Sequence, residues 1–313
     1  MPASAADAPC PEQAFNATAL KWHTCAWLLL PVLVFLAGWM YWYAALPLML
    51  LTAAGLAPRK CKEPQTRDSL PAFPLFTRSS FLALAAFAAL MTLSGWGEWV
   101  NQHPDHIVRN ACLRELVASP WPVIFPDGNM LVYNTGFWLV PALAGKLAGL
   151  DAARVLVVLW GTWGLFLAWL WLCVFSGHRS LLLALLMAAF GSLLNFQCWL
   201  GLDLFRLHYF GTAEQIMCSA NASIPVLLFF IFLASGRMPL PWIPLLFAAT
   251  AFYSPLAALG GLPLAACQWY RQWRGVPPLR DVLLHPSFSA SVLLGVCFLL
   301  YYGTVNAPSS HMG

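Results

Sequence analysis

The chain has 313 residues, of which 60% are apolar and only 9% are charged, and its mean hydropathy is +0.70. Because a soluble domain carries roughly 25% charged residues, this composition excludes a water-soluble globular protein. The net charge of +4 is spread over several loops, which argues against a nucleic-acid partner. The 16 Trp are typical of membrane helices whose ends are held at the headgroup level by indole rings.

The apolar runs predict the membrane spans. Residues 1–20 are polar and no clear cleavage site follows the first apolar run, so we expect that run to be retained. Residues 24–57 exceed the length of one span, and the aromatic turn at 38–43 divides them into two helices. Further spans are predicted at 81–96, 133–150, 154–175, 181–197, 221–236, 239–252, 256–268 and 287–302. The sequence therefore predicts an all-α polytopic bundle of about ten spans, a single transmembrane domain over residues 1–313.

The basic residues predict the orientation of the bundle. Lys21 precedes the first run and the loop at 58–80 is rich in Lys and Arg, so both are expected in the cytoplasm. The next loop, 97–132, is then external, and we interpret it as a catalytic-type loop because long loops between spans usually have a function. Beyond this loop, the predicted spans place basic segments on both sides of the membrane. Since such segments are expected in the cytoplasm, one predicted crossing is miscounted. The weakest is 133–150, which contains Pro141 and Lys146.

The external loop is predicted to contain short amphipathic helices. From Asp105 onward, the spacing places Asp105, Arg109 and Cys112 on one side of a helix and Ile107, Ala111 and Leu113 to Leu116 on the other. Such a helix would lie along the outer membrane surface. An Asp there can act as a general base on a hydroxyl, and Arg109 can hold a phosphate. The simpler interpretation is that Asp105 caps the helix and pairs with Arg109 in solvent.

Three other polar features are weighed in the same way. Glu98 is interpreted first as a solvated interfacial side chain and second as a further carboxylate that binds metal or acceptor. Lys146 either extends to the membrane surface or binds phosphate. The segment 201–217 is predicted to be an interfacial loop, and if it is external it faces the same chamber with Asp203, Arg206, His208, Glu214 and Gln215.

One stretch of this sequence resembles a known family. Asp105 is followed by Arg109, Asn110, the Pro-Trp-Pro of 120–122 and the run LVYNTGFWLVPALAGKLAG from Leu131 to Gly149. This pattern resembles bacterial polytopic membrane proteins of the GT-C glycosyltransferase superfamily. Residues 252–264, FYSPLAALGGLPL, resemble a second family segment in which Ser-Pro separates two short helices. The resemblance covers about half of the chain.

The resemblance implies a GT-C-like fold and a transferase of the bacterial inner (plasma) membrane. Such an enzyme moves a sugar from a polyprenyl-phosphate-linked donor to a glycan, lipid or protein acceptor at the extracytoplasmic face, with Asp105 as general base. The residues expected to bind substrate are Glu98, His103, His106, Arg109, Asn110, Tyr133, Lys146, Arg206, His208 and Gln215. Membrane lipids are the remaining expected partners. No metal ligand set is predicted, and a divalent metal cofactor is left open.

Two departures leave other functions open. The family pattern has Lys and then His after the Asp, where this chain has Val108 and Arg109, so His103 or His106 takes the proton-transfer role or that role is absent. Members of the superfamily also usually run further than Gly313. A truncated, non-catalytic relative that binds lipid or a partner subunit is therefore one alternative. The other is a transporter or lipid flippase, for which ionisable groups near mid-membrane are expected.

Overall fold

A computed structural model describes residues 14–15, 17–57, 73–74, 77–100, 102–190, 211–273 and 279–304. Over these residues the protein is all-α apart from two short strands, β1 (Ala14–Phe15) and β2 (Phe73–Pro74), which pair antiparallel. The helices are α1 (Ala17–Trp39), α2 (Trp42–Leu56), α3 (Arg78–Leu93), α4 (Pro104–Ala118), α5 (Gly136–Ala148), α6 (Leu150–Ser176), α7 (Leu181–Ala189), α8 (Thr212–Ala234), α9 (Trp242–Tyr253), α10 (Pro255–Trp273), α11 (Leu279–Leu283) and α12 (Pro286–Gly303).

Four of these helices are long and apolar enough to cross a membrane. They lie at Thr18–Trp39, Leu150–Ser176, Thr212–Ala234 and Pro286–Gly303, and four shorter apolar helices, α2, α3, α5 and α9, accompany them. A helix of 13 residues such as α5 is about 20 Å long, less than the hydrocarbon thickness of about 30 Å. These lengths agree with a membrane protein, and they mark the predicted span at 133–150 as a short helix.

The predicted breaks in the first and later runs are confirmed. The chain leaves helix geometry between Trp39 and Trp42, inside the aromatic turn. It does so again at Ser254, where Pro255 begins the next helix. Pro disfavours helical backbone in the residue before it, so Ser-Pro ends one helix and starts another.

The prediction of an interfacial loop at 201–217 is wrong for its described part. Residues from Thr212 onward are helical and belong to α8. The Gly211 backbone N–H donates to the Glu214 carboxylate at 3.0 Å, which satisfies one of the free donors at the start of the helix. Glu214 and Gln215 therefore mark a helix start, not a loop. Asp203, Arg206 and His208 lie outside the described residues.

Helix α6 lies at the centre of the bundle and packs against α3, α5 and α8. At Gly164 an added Cβ would lie 2.7 Å from the Trp27 ring on α1 and from Ile224 on α8, so glycine allows three helices to approach closely. Tryptophans fill this core, contrary to the expectation that indoles chiefly mark the headgroup level. Among the described residues, the fully buried tryptophans are Trp27, Trp138, Trp169 and Trp171.

Two of the buried indoles are hydrogen-bonded across helices. Trp27 donates to the Trp160 carbonyl at 3.0 Å, and Trp171 donates to the Thr24 hydroxyl at 2.8 Å. Since a buried N–H without a partner costs about 1–3 kcal/mol, these bonds fix the helices against one another. Tyr253 adds a bond from its hydroxyl to the Trp27 carbonyl at 2.9 Å, which joins α9 to the same core.

Candidate functional site

The site is built around the first turn of α4. Pro104 occupies the first helical position, and the His103 side chain accepts the Asp105 N–H at 3.3 Å through Nδ1. The His103 N–H donates in turn to Nδ1 of His106 at 3.2 Å. Two histidines thus take the places that Ser and Glu hold in an ordinary capping box. The alternative in which Asp105 caps the helix is therefore wrong.

His106 joins α4 to α8. It is 1% exposed, and its Nε2 donates to the Met217 carbonyl at 2.9 Å while Nδ1 accepts the His103 N–H. Burial lowers the pKa of His106, and the nearby Arg109 charge lowers it further, against a raising effect of the bond to Met217. Both ring nitrogens of a neutral imidazole are engaged. His106 therefore anchors the start of α4 to α8.

Helix α8 breaks where α4 meets it. Ser219 has φ −152° and ψ 44°, which lies outside helix geometry. Carbonyls in the turn before the break accept side-chain donors: Trp96 Nε1 reaches the Ile216 carbonyl at 2.8 Å, and His106 reaches Met217. A break in a helix leaves backbone groups that need such partners. The loop after α3 and the start of α4 are therefore tied to this point of α8.

Arg109 is the most unusual side chain of the site. It is 8% exposed, and its Nη2 donates to the Ser219 hydroxyl at 3.2 Å and lies 3.7 Å from the Asp105 carboxylate. Its guanidinium carbon lies 6.0 Å from the centre of the Trp96 ring. The atoms Nε and Nη1 are buried and have no hydrogen-bond partner among the described residues. A buried cation with two unpaired nitrogens, which together carry three N–H groups, is suited to bind an anion.

Asp105 lies beside this cation and reaches solvent. Its side chain is 51% exposed, and one carboxylate oxygen is 3.7 Å from Arg109 Nη2 and 3.7 Å from His103 Nδ1. The prediction that Asp105 and Arg109 share one side of a helix is confirmed. The pair does not lie in solvent as the simpler interpretation required, because Arg109 is buried. With a phosphate-bearing molecule bound at the buried cation, the exposed carboxylate beside it can accept the proton of a hydroxyl that reacts with that molecule.

The two faces of α4 differ from those predicted. The buried residues are His106, Arg109, Cys112, Leu113 and Leu116, so Arg109 and Cys112 share a side as predicted, but Leu113 and Leu116 are buried with them. Ile107 is 71% exposed, whereas the prediction grouped it with Leu113 and Leu116. The tertiary contact with α8 buries polar side chains and leaves an isoleucine outside.

Glu98 belongs to a separate ion-pair network. Its side chain is 9% exposed, and one oxygen lies 2.5 Å from Arg114 on α4 and 2.5 Å from Arg154 on α6. The expectation of a solvated glutamate is therefore wrong. Burial acts to raise the pKa of the Glu98 carboxyl, but the hydrogen bonds from both arginines outweigh it and lower the pKa. Glu98 also adopts φ 67°, an unusual conformation for a residue other than glycine. This network holds the loop after α3 against two helices.

The remaining predicted site residues lie around the cluster or away from it. Asn110 donates to the Gln102 side chain at 2.7 Å and so supports the loop before α4. The Tyr133 backbone is bonded to the Tyr301 hydroxyl of α12. Lys146 donates to the Ser119 carbonyl, and its ammonium lies 5.0 Å from the Trp121 ring. Since Ser119 follows Asp105 by 14 residues, Lys146 is about 20 Å from Asp105 along the helix rise.

Two residues of the site were not predicted. Cys218 has its thiol within 4.8 Å of ligand atoms of His103 and Asp105, and Ser219 binds Arg109. Both belong to the break in α8, which no Pro or Gly at that point of the sequence indicates. Gln215, which was predicted, is exposed in the turn before the break.

No protein-family model, no curated protein and no solved structure matches this chain.

Proposed function

We propose that this chain is a membrane-embedded glycosyltransferase of the GT-C type. It transfers a sugar from a polyprenyl-phosphate-linked donor to an acceptor hydroxyl at the extracytoplasmic face of a bacterial inner membrane. About ten spans and a GT-C-like fold belong to the same proposal. The observation that carries it is the pairing of an exposed carboxylate, Asp105, with a buried guanidinium, Arg109, that has two unpaired nitrogens.

In the proposed reaction Arg109 binds the phosphate of the donor. The acceptor oxygen forms a bond to the anomeric carbon while the bond from that carbon to the phosphate oxygen breaks. The electron pair leaves with the phosphate, whose added charge the guanidinium stabilises. The acceptor proton passes to Asp105. Each step uses a group that lies at the start of α4.

A transporter is the less favoured function. The break at Ser219 is the feature that favours it, because transporters bind substrate at broken helices. The break follows the start of α8 at Thr212 by only seven residues, about 10 Å along the helix. A transport site is expected near the bilayer midplane, whereas this break lies close to one end of its helix.

The test uses the purified full chain in proteoliposomes and donors that carry a radiolabelled sugar on a polyprenyl monophosphate. A lipid and glycan extract supplies the acceptor hydroxyls, and release of polyprenyl phosphate then measures turnover whichever of them takes the sugar. We expect Asp105→Asn to lower turnover by roughly 100- to 10,000-fold, the usual contribution of a general base. Glu115→Gln is the matched control, since Glu115 is a carboxylate on the same helix that accepts a bond from Ser119.

The control should keep wild-type turnover, and both variants should insert into the membrane and bind polyprenyl phosphate. Undiminished turnover in Asp105→Asn would remove Asp105 from the mechanism. Binding of polyprenyl phosphate without turnover of any donor would replace the transferase by a lipid-binding protein.

A further inference from the structure

Three side chains with metal-ligating atoms meet at the contact between α4 and α8. They are His103 and Asp105 at the start of α4 and Cys218 just before the break in α8, and their ligand atoms all lie within 4.8 Å of one another. Sequence positions more than 110 apart are thus brought to one point. Two of the side chains are half-buried and Asp105 is exposed, so the cluster is open on one side.

We propose that this cluster binds a divalent metal ion of the zinc class. Imidazole nitrogen, thiolate sulfur and carboxylate oxygen are the three ligand types that zinc takes from proteins, at about 2.0–2.3 Å. Three such ligands around one tetrahedral ion lie closer together than they do here, so binding needs side-chain adjustments of the order of 1 Å. The fourth position faces the open side, as in zinc sites that take part in a reaction.

The chemical state of the ligands fits this proposal. Nδ1 of His103 accepts the Asp105 N–H at 3.3 Å, so this nitrogen is unprotonated, and its one lone pair would leave that backbone bond to bind the metal. Cys218 is a free thiol. When the sulfur–metal bond forms, the thiol proton is released to solvent, so charge balances without any redox step.

The neighbouring cation is a second observation that indicates a ligand here. Arg109 is 8% exposed, lies 3.7 Å from Asp105, and keeps two buried nitrogens, Nε and Nη1, without a partner among the described residues. A divalent ion beside this guanidinium needs an anion between them. Bound phosphate supplies it, with oxygens for both the ion and the arginine. The ion and the arginine would then form one anion site.

The role of the ion in the reaction rests on the proposed function. The binding of the ion rests on the three ligands alone. Asp105 would bind the ion through one carboxylate oxygen and keep the other for the acceptor proton. The ion would stabilise the charge that develops on the phosphate. Ion binding can therefore be measured apart from sugar transfer.

The test is a Co²⁺ titration of the full chain, purified in detergent and stripped of metal by a chelator. We expect about one ion per chain, a thiolate-to-cobalt charge-transfer band, and displacement of the cobalt by Zn²⁺. Cys218→Ser should abolish the band. It should also weaken cobalt binding by more than roughly 10- to 100-fold, the loss caused by removing a residue that only hydrogen-bonds to a metal ligand. Cys267→Ser is the matched control, because Cys267 is an exposed thiol on α10.

His103→Gln removes a nitrogen ligand but also a helix cap, so Cys218→Asp is added as a second variant. It replaces the thiolate by a carboxylate and should still bind the ion, without the band. Absence of the band in the wild type, or its persistence in Cys218→Ser, would overturn the inference. Donor turnover is measured separately. Cobalt bound through Cys218 without turnover of any donor would overturn the proposed function and leave the metal site intact. Turnover without cobalt binding would overturn the metal site and leave the proposed function intact.

Discussion

Replacement of Arg109 by Met separates binding from folding more sharply than any other change at the site. In the wild type, Nη2 donates to Ser219 and lies near Asp105, while Nε and Nη1 are buried without a partner among the described residues. If those two groups bind a phosphate, each charge-assisted hydrogen bond contributes about 1.5–3 kcal/mol. Loss of both, about 3–6 kcal/mol, weakens binding by roughly 100- to 20,000-fold.

The effect on stability should be small or of opposite sign. Met fills much of the same volume without polar atoms, which removes two buried nitrogens that cost about 1–3 kcal/mol each while unpaired. Against this stand the bond to Ser219 and the pair with Asp105, which is half exposed and contributes at most about 1 kcal/mol. We expect Arg109→Met to unfold with a free energy within about 1 kcal/mol of the wild type, or above it.

The assay measures binding of a short polyprenyl phosphate, such as farnesyl phosphate, in detergent, together with unfolding with and without that ligand. At 100 times Kd the ligand should stabilise the wild type by about 2.7 kcal/mol and leave Arg109→Met unchanged. Arg114→Met is the matched control, because Arg114 is a half-exposed arginine of the same helix that binds Glu98. It should lose stability and keep affinity. Wild-type affinity in Arg109→Met would refute the anion site.

Three further predictions concern the surroundings of the site. Glu98→Gln should lower the free energy of unfolding by about 2–3 kcal/mol, because Arg114 and Arg154 both lose the nearly buried carboxylate with which they pair. Asp151→Asn, which removes an exposed ion pair, should lower it by less than about 0.5 kcal/mol. Equal losses in the two variants would contradict the network. The pKa of His106 is lowered in the folded protein, so the unfolded chain binds more protons, and the free energy of unfolding should fall as the pH drops below about 6.5. His106→Asn should flatten this pH dependence, which unfolding curves taken between about pH 5 and 8 measure. Gly55→Ala should destabilise by about 1–3 kcal/mol because its Cβ would lie 2.7 Å from the backbone of α12, and Gly295→Ala, with open space around it, should not; matched melting curves of the two variants check this.

Sequence patterns predicted helix ends where local chemistry determines them. The aromatic turn at 38–43 and the Ser-Pro at 254–255 act through the residues themselves, and both breaks occur as predicted. The start of α8 was missed because Glu214 and Gln215 interrupt the apolar pattern that located the spans, although an acidic residue is typical of a first helical turn. Only the bond from Gly211 to Glu214 distinguishes a helix start from a loop, and that bond depends on the helix being present.

The site shows the same limit more strongly. The pairing of Asp105 with Arg109 followed from helical spacing alone. The burial of Arg109, the anchoring role of His106 and the approach of Cys218 all depend on a contact between helices that are about a hundred residues apart in sequence. A periodicity argument assigns charged side chains to the outer face, so it reversed the places of Arg109 and Ile107.

The break in α8 links the architecture to the chemistry of the site. An unbroken helix would use its carbonyls internally, and neither Trp96 nor His106 would find an acceptor there. With the break, two side chains from the loop and from α4 donate to adjacent carbonyls, and Ser219 itself accepts from Arg109. The start of α4 is thus held at two points, and the loop after α3 at a third, within one turn of α8. Because Asp105 is attached to that same turn of α4, any force that straightened α8 would displace the carboxylate and release the arginine together.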